Sequence, residues 1–144
     1  MRIALVLIIV GLNLFSMHFT NGLDKSRALN VLGSELESCC FDPMTGWYRD
    51  GYCHTDSRDY GVHVVCAVMT EEFLDFSASC GNDLKTERGS FPGLKEGDKW
   101  CLCVSRWKEA FDKGIAPPVI LQSTHEKALM TVTLNELQSC SVAK

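Results

Sequence analysis

The sequence lacks the short motifs that mark the commonest catalytic and cofactor-binding sites. It contains no G-x-S-x-G elbow, no H-E-x-x-H helix, no P-loop and no dinucleotide-binding fingerprint. No segment repeats, and the aspartates of residues 42–59 do not have the spacing of an EF-hand calcium loop. The sequence therefore gives no support to a hydrolase, metalloprotease, nucleotide-binding protein or dehydrogenase of those types.

Positive charge is also scarce. The 144 residues carry 14 Lys and Arg against 18 Asp and Glu, a formal net charge of −4. Nucleic-acid recognition normally depends on clustered Lys and Arg that neutralise phosphates. We therefore expect no nucleic-acid partner, while the identity of a protein or small-molecule partner stays open.

Long apolar segments are confined to the N terminus. Met1 and Arg2 precede an apolar stretch over residues 3–17, and Thr20 and Gly22 place small residues ahead of a cleavage point. This pattern predicts a secretory signal peptide over residues 1–22, with an uncleaved signal anchor as the alternative. Residues 23–144 are then expected to form a single domain without a membrane span, in the secretory-pathway lumen or outside the cell.

Residue patterns predict an α+β fold of two layers, with short strands, short helices and long loops. The β-branched run Val62–Met69 predicts a buried strand and Trp100–Val104 a second one. Two further strands are predicted at Val119–Leu121 and Leu129–Val132.

Capping signals predict three helices between these strands. Thr70 is a suitable N-cap for a helix that ends before Gly81, and Ser105 for a helix over Arg106–Lys113. Thr133 and Glu136 have the spacing of a capping box that opens a final helix.

Cysteine is the residue present in unusual number. The eight positions are Cys39, Cys40, Cys53, Cys66, Cys80, Cys101, Cys103 and Cys140. On an extended strand Cys101 and Cys103 would share a face with α-carbons roughly 6.6 Å apart, which is poor geometry for a bond between them. Each is therefore expected to pair elsewhere, to stay a thiol, or to bind a ligand jointly with the other.

Three hypotheses account for these cysteines. An even number in a secreted domain is typical of a disulfide framework. A soft-metal site for zinc or copper would use Cys101 and Cys103 with partners such as Cys66, Cys53 or His63. A reactive thiol beside a histidine is the third.

Four other residues are candidates for a site. His63, Asp50 and Asp83 could serve an acid–base or Cys/His enzyme of unknown substrate, and Arg106 could hold a loop or an anion. Strand alternation places His63 on the face opposite Cys66, so a hydrogen-bonded core histidine is favoured over a metal ligand.

Several ordered stretches carry a resemblance to a known family. They are DPMTGWYRDG at 42–51, GVHVVCAVMT at 61–70, GNDL at 81–84, FPGL at 91–94, WCLC at 100–103 with Arg106 and Trp107, Ala116 with Pro117, and Thr124 with His125. Over residues 30–137 the chain resembles the family catalogued as domain of unknown function 2237. The resemblance implies a compact α+β domain, found mostly in bacteria, with no assigned activity.

The resemblance also sorts the cysteines. Relatives that look cytoplasmic carry cysteines matching Cys39, Cys53, Cys66, Cys101 and Cys103, which implies a thiol or metal role because a reducing cytosol disfavours disulfides. The additional cysteines here are Cys40, Cys80 and Cys140, and a bridge between Cys80 and Cys140 is then expected.

These observations lead to one functional hypothesis with two rivals. We expect a secreted, cysteine-rich, non-enzymatic module that binds zinc or copper through Cys53, Cys66, Cys101 and Cys103. The rivals are a disulfide-stapled interaction domain and the enzyme described above.

Overall fold

The computed structural model describes residues 28–144 and has an α+β architecture. Its elements in chain order are β1 (His63–Val68), α1 (Glu71–Ser79), β2 (Lys99–Cys103), α2 (Val104–Asp112), 3-10 turns at Leu121–Ser123 and Glu126–Met130, and α3 (Leu134–Ser139). Short strands and helices joined by long loops confirm the predicted fold class. The predicted signal peptide lies outside the described residues.

The two strands form an antiparallel sheet with a defined register. Cys66 is the cross-strand partner of Cys101, and His63 is the partner of Cys103. The register shifts between His63 and Val65, where the chain enters β1 through Val62 at φ +49°. A β-branched residue rarely adopts a positive φ, so this entry is held by its surroundings.

Loop segments cover both outer edges of this sheet. On the β1 side the Ile120 amide donates to the carbonyl of Cys66 at 2.9 Å. On the β2 side the Cys101 amide donates to the hydroxyl of Thr45 at 2.8 Å. Buried backbone groups need such partners, so these contacts let a two-stranded sheet sit inside the protein.

Two of the helix starts follow their predicted caps. The Thr70 hydroxyl accepts a hydrogen bond from the Phe73 amide, and Gly81 follows α1 at φ +85°. Thr133 and Glu136 form the reciprocal capping box at the start of α3. Local signals were sufficient at these positions because both partners of each bond lie within one turn.

Other local predictions were wrong in detail. Helix α2 begins one residue after Cys103, so Ser105 lies inside the helix and does not cap it. Residues predicted as a strand at Leu129–Val132 overlap the 3-10 turn, since the His125 ring accepts the Lys127 amide and starts that turn. Val119 makes only isolated bridges.

The sheet has two faces of different chemistry. One face packs with the three α-helices in a hydrocarbon core; its members include Val65, Ala67, Trp100, Leu102, Phe73, Leu74, Trp107, Ala110 and Leu137. The other face carries Cys66, Val68 and Cys101 toward the 39–60 loop. Alternation along each strand produces this separation. In the described part of the chain, no helix has the length and apolar character required to cross a membrane.

Candidate functional site

Four cysteines meet on the second face of the sheet, and we call Cys39, Cys53, Cys66 and Cys101 the sulfur cluster. Two disulfides join them, Cys39 to Cys66 and Cys53 to Cys101. All four are at most 5% exposed, and Ile120 packs against them. Disulfides suggest an oxidising, extracellular environment.

The cluster ties a loop to the sheet. β1 contributes Cys66 and β2 contributes Cys101, side by side in the register, while Cys39 and Cys53 come from the loop before β1. The bonded α-carbons are 5.7 and 5.3 Å apart, within the usual range. The loop over residues 39–53 is therefore clamped at both ends.

The sulfurs also lie close enough to act together. Those of Cys39, Cys53 and Cys66 are all within 4.8 Å of one another, and Cys101 is bonded to Cys53. Within residues 28–144 no other three His, Cys, Asp or Glu side chains offer ligand atoms this close. With the two bridges reduced, the three cysteines could hold a metal ion.

Three of the four predicted metal ligands belong to the sulfur cluster. Cys53, Cys66 and Cys101 come together, but Cys103 lies at the end of β2 with its sulfur 3.1 Å from the Ser105 hydroxyl. The fourth sulfur is that of Cys39, which is not one of the predicted ligands. Cys39 is adjacent to Cys40, and nothing in the sequence shows which of these two cysteines is turned inward.

Four cysteines stay as half-buried thiols: Cys40, Cys80, Cys103 and Cys140. The expected bridge between Cys80 and Cys140 is not one of the two disulfides. Arg106 contacts the Cys80 carbonyl, whereas Lys108 pairs with Glu136 of α3. The two cysteines are the C-cap residues of different helices, Cys80 of α1 and Cys140 of α3.

A cleft opens beside the sulfur cluster. Two cavities of about 360 and 220 Å³ adjoin through shared walls, and Cys101 lines the larger one. The residues that line both cavities are His63, Asn82, Leu84 and Trp100. The larger one adds Gly46, Trp47, Arg49, Asp83, Arg88 and Phe91, and the smaller one Leu102, Cys103 and Arg106. The larger cavity alone falls within the volume range of small-molecule sites, about 300–1,000 Å³.

His63 lines both cavities of the cleft and is hydrogen-bonded to a buried carboxylate. Its Nδ1 lies 2.6 Å from the Asp59 carboxylate, which is fully buried and also accepts the His63 amide and the Thr55 hydroxyl. An ionised carboxylate can only accept hydrogen bonds, so in the neutral ring the proton of His63 is on Nδ1 and Nε2 is left as an acceptor. His63 is hydrogen-bonded as predicted, but its side chain is 38% exposed in the cleft.

Gly61 provides the space for this ring. A Cβ at Gly61 would collide with the imidazole of His63. The partner Asp59 was not a predicted site residue. Its signal in the sequence is an Asp four positions before a His, but the strained turn at Val62 that joins them cannot be derived from strand alternation.

Of the other predicted site residues, two line the cleft and one does not. Asp83 lines the cleft, and hydrogen bonds from the Thr86 hydroxyl and the nearby amides lower its pKa, so it is a carboxylate at neutral pH. Arg106 lines the smaller cavity and bonds to Glu109. Asp50 does not line these cavities; it pairs with His54 at 3.1 Å.

Comparison with known proteins gives one match. The model of the family described as "Uncharacterized protein conserved in bacteria", domain of unknown function 2237, matches residues 29–141. No curated protein matches the chain. The matched region includes all of the sulfur cluster and all of the cleft.

Proposed function

Because the chain belongs to the domain of unknown function 2237 family, whose description names no activity, we propose a function from the sulfur cluster. The protein is a non-enzymatic thiol module that holds two disulfides when oxidised and binds one soft metal ion, zinc or copper, when reduced. The observation that carries the proposal is the convergence of three cysteine sulfurs within 4.8 Å, with a fourth bonded to one of them.

The spacing of the sulfurs suits a tetrahedral thiolate site. A Zn–S bond is about 2.3 Å, so the four sulfurs around a zinc ion lie about 3.8 Å apart. The sulfurs of Cys39, Cys53 and Cys66 are already within 4.8 Å of one another. Opening the two bridges would free the bonded sulfurs, which are 2.09 and 2.06 Å apart, to separate to this distance around one ion.

The conversion balances with a dithiol reductant as the co-reactant. Each protein disulfide gains two electrons and two protons and becomes two thiols, while the two thiols of the reductant become its own disulfide. Two such steps give four thiols. Binding of Zn²⁺ by four thiolates then releases the four thiol protons to solvent.

The remaining cysteines have no place in this site. The thiol of Cys103 is hydrogen-bonded to the Ser105 hydroxyl at the start of α2, and Cys40, Cys80 and Cys140 are half-buried thiols elsewhere. We therefore propose that the fourth ligand is Cys39 and not Cys103. We also propose that the leader at residues 1–22 exports the chain, so that the disulfide form is the one formed on export.

A stapled interaction domain is the second candidate. The burial of both bridges favours it, because buried disulfides are the usual devices of small secreted domains. This candidate predicts no metal binding in either redox state. The structure supplies two bridges for it.

Metal titration separates the two candidates. The protein is reduced anaerobically, freed of reductant and titrated with zinc against a chromophoric chelator; a second sample stays oxidised. We expect one equivalent of zinc on the reduced protein and none on the oxidised protein. Cys39→Ser should weaken zinc binding by a large factor, whereas Cys103→Ser, the matched control, should not. Zinc binding that requires Cys103 but not Cys39, or no zinc binding at all, contradicts the proposal.

A further inference from the structure

We propose that the cleft binds a small planar molecule with a carboxylate on one side of its ring and a hydroxyl group on another. The proposal is independent of the metal chemistry of the sulfur cluster. It rests on three features of the cleft: aromatic walls, one arginine with no carboxylate partner, and an oriented imidazole nitrogen.

Aromatic side chains shape the cleft for a flat ligand. The Trp47 ring lies parallel to His63, with centroids 6.1 Å apart and planes 8° apart. Phe91 packs edge-on against Trp100 at 5.4 Å. All four side chains line the larger cavity, whose volume of about 360 Å³ accommodates a single substituted ring.

Arg49 is the cation left available to a ligand. Its guanidinium lies 4.9 Å from the centre of the Trp100 ring and donates to the Gly46 carbonyl at 2.5 Å. The other arginines of the cleft have carboxylate partners, Arg88 with Asp83 and Arg106 with Glu109. Among residues 28–144 no carboxylate lies within 4.0 Å of the Arg49 guanidinium. A planar guanidinium that stacks on a ring is well suited to a carboxylate.

The sulfur cluster fixes the position of Arg49. Arg49 has φ +53° and lies in the loop whose ends, Cys39 and Cys53, are both bonded to the sheet. A non-glycine residue in this left-handed conformation is held by its surroundings. The loop therefore presents the guanidinium at a set place in the cleft, which lowers the ordering cost of ligand binding.

His63 supplies the third contact. Its Nδ1 is hydrogen-bonded to Asp59, whereas Nε2 makes no hydrogen bond within residues 28–144. An acceptor nitrogen facing a cavity selects a ligand with an O–H donor. A hydroxyl group on the ring of an aromatic carboxylate would meet this requirement.

The test uses the full oxidised protein and a panel of matched probes. The three hydroxybenzoate isomers carry ring, carboxylate and hydroxyl; benzoate lacks the hydroxyl, benzamide lacks the charge, and cyclohexanecarboxylate lacks the flat ring. Binding is followed by quenching of tryptophan fluorescence and by the His63 ring signals in NMR spectra. We expect one hydroxybenzoate isomer to bind tightest and benzamide at least about tenfold more weakly than benzoate, because a charge-assisted hydrogen bond is lost.

Two variants locate the effect. Arg49→Gln should remove the preference for benzoate over benzamide, and Lys108→Gln, which neutralises a cation outside the cleft, should preserve it. His63→Asn should remove the preference for the hydroxybenzoate over benzoate. Equal binding of benzoate and benzamide by the unaltered protein, or no saturable binding of any isomer by folded protein at millimolar concentration, overturns the proposal.

Discussion

The sulfur cluster and the cleft are adjacent but differ in solvent exposure and in the interactions that hold them. The cluster is closed, nearly free of water contact and held by covalent bonds. The cleft is open and lined by charges and rings, and its floor includes Cys101 of the cluster. Within residues 28–144 a two-stranded sheet supports a polar cleft because covalent bonds fix the loop, and the loop carries Trp47 and Arg49, which line the cleft.

Breaking the cluster should have the largest effect on stability. Replacing Cys53 and Cys101 together by Ala removes a bridge of sequence separation 48, for which loop-closure entropy gives a loss of about 4 kcal/mol. Urea unfolding measures it. The double change Cys80→Ser and Cys140→Ser is the control and should alter the free energy of unfolding by less than about 0.5 kcal/mol. A loss in the control as large as that in the Ala variant would contradict the prediction that the bridge dominates stability.

The next largest effect is expected at the hydrogen bond between the Cys101 amide and the Thr45 hydroxyl. Thr45→Val leaves the buried Cys101 amide without its acceptor, so we expect a loss of about 1–3 kcal/mol. Thr131→Val at an exposed position is the matched control, measured by the same urea unfolding. If both variants lose the same small amount, the Thr45 hydroxyl does not hold the loop to β2.

The smallest effect concerns pH and a turn next to the sheet. Burial lowers the pKa of His125, so the folded protein binds fewer protons there than the unfolded chain. Stability from this group is complete above the usual histidine pKa of about 6.5 and is lost as the pH falls below it. Protonation also removes the acceptor for the Lys127 amide.

His125→Asn isolates this contribution, since asparagine can cap the turn but does not titrate. Between pH 7.5 and 5.5 the free energy of unfolding should fall further in the unaltered protein than in the variant, by up to about 1 kcal/mol. Thermal unfolding at both pH values provides the measurement. An equal or greater loss in the variant would mean that His125 does not contribute to the acid sensitivity.

Local features of the fold were predictable from the sequence. The β-branched run that became β1, the Thr70 cap and the Thr133–Glu136 box depend on residues within a few positions of one another. The apolar segment at residues 129–132 was ambiguous, because a short run of this kind fits a strand or a helical turn equally well. Met130 there is 81% exposed, which a buried strand would not allow.

Features of the site were less predictable because they depend on distant residues. The two disulfides span 27 and 48 positions, so the choice between Cys39 and Cys103 was made by tertiary packing. The pairing of His63 with Asp59 depends on the positive φ of Val62. The position of Arg49 over Trp100 joins residues 51 positions apart, so it depends on the path of the loop and not on local sequence.

We propose that the four cysteines of the sulfur cluster form one metal site on reduction, and X-ray absorption at the zinc edge of the reduced, zinc-loaded protein detects the ligands of that site. We expect four sulfur neighbours at about 2.3 Å. A first shell dominated by nitrogen or oxygen at about 2.0–2.2 Å would contradict it.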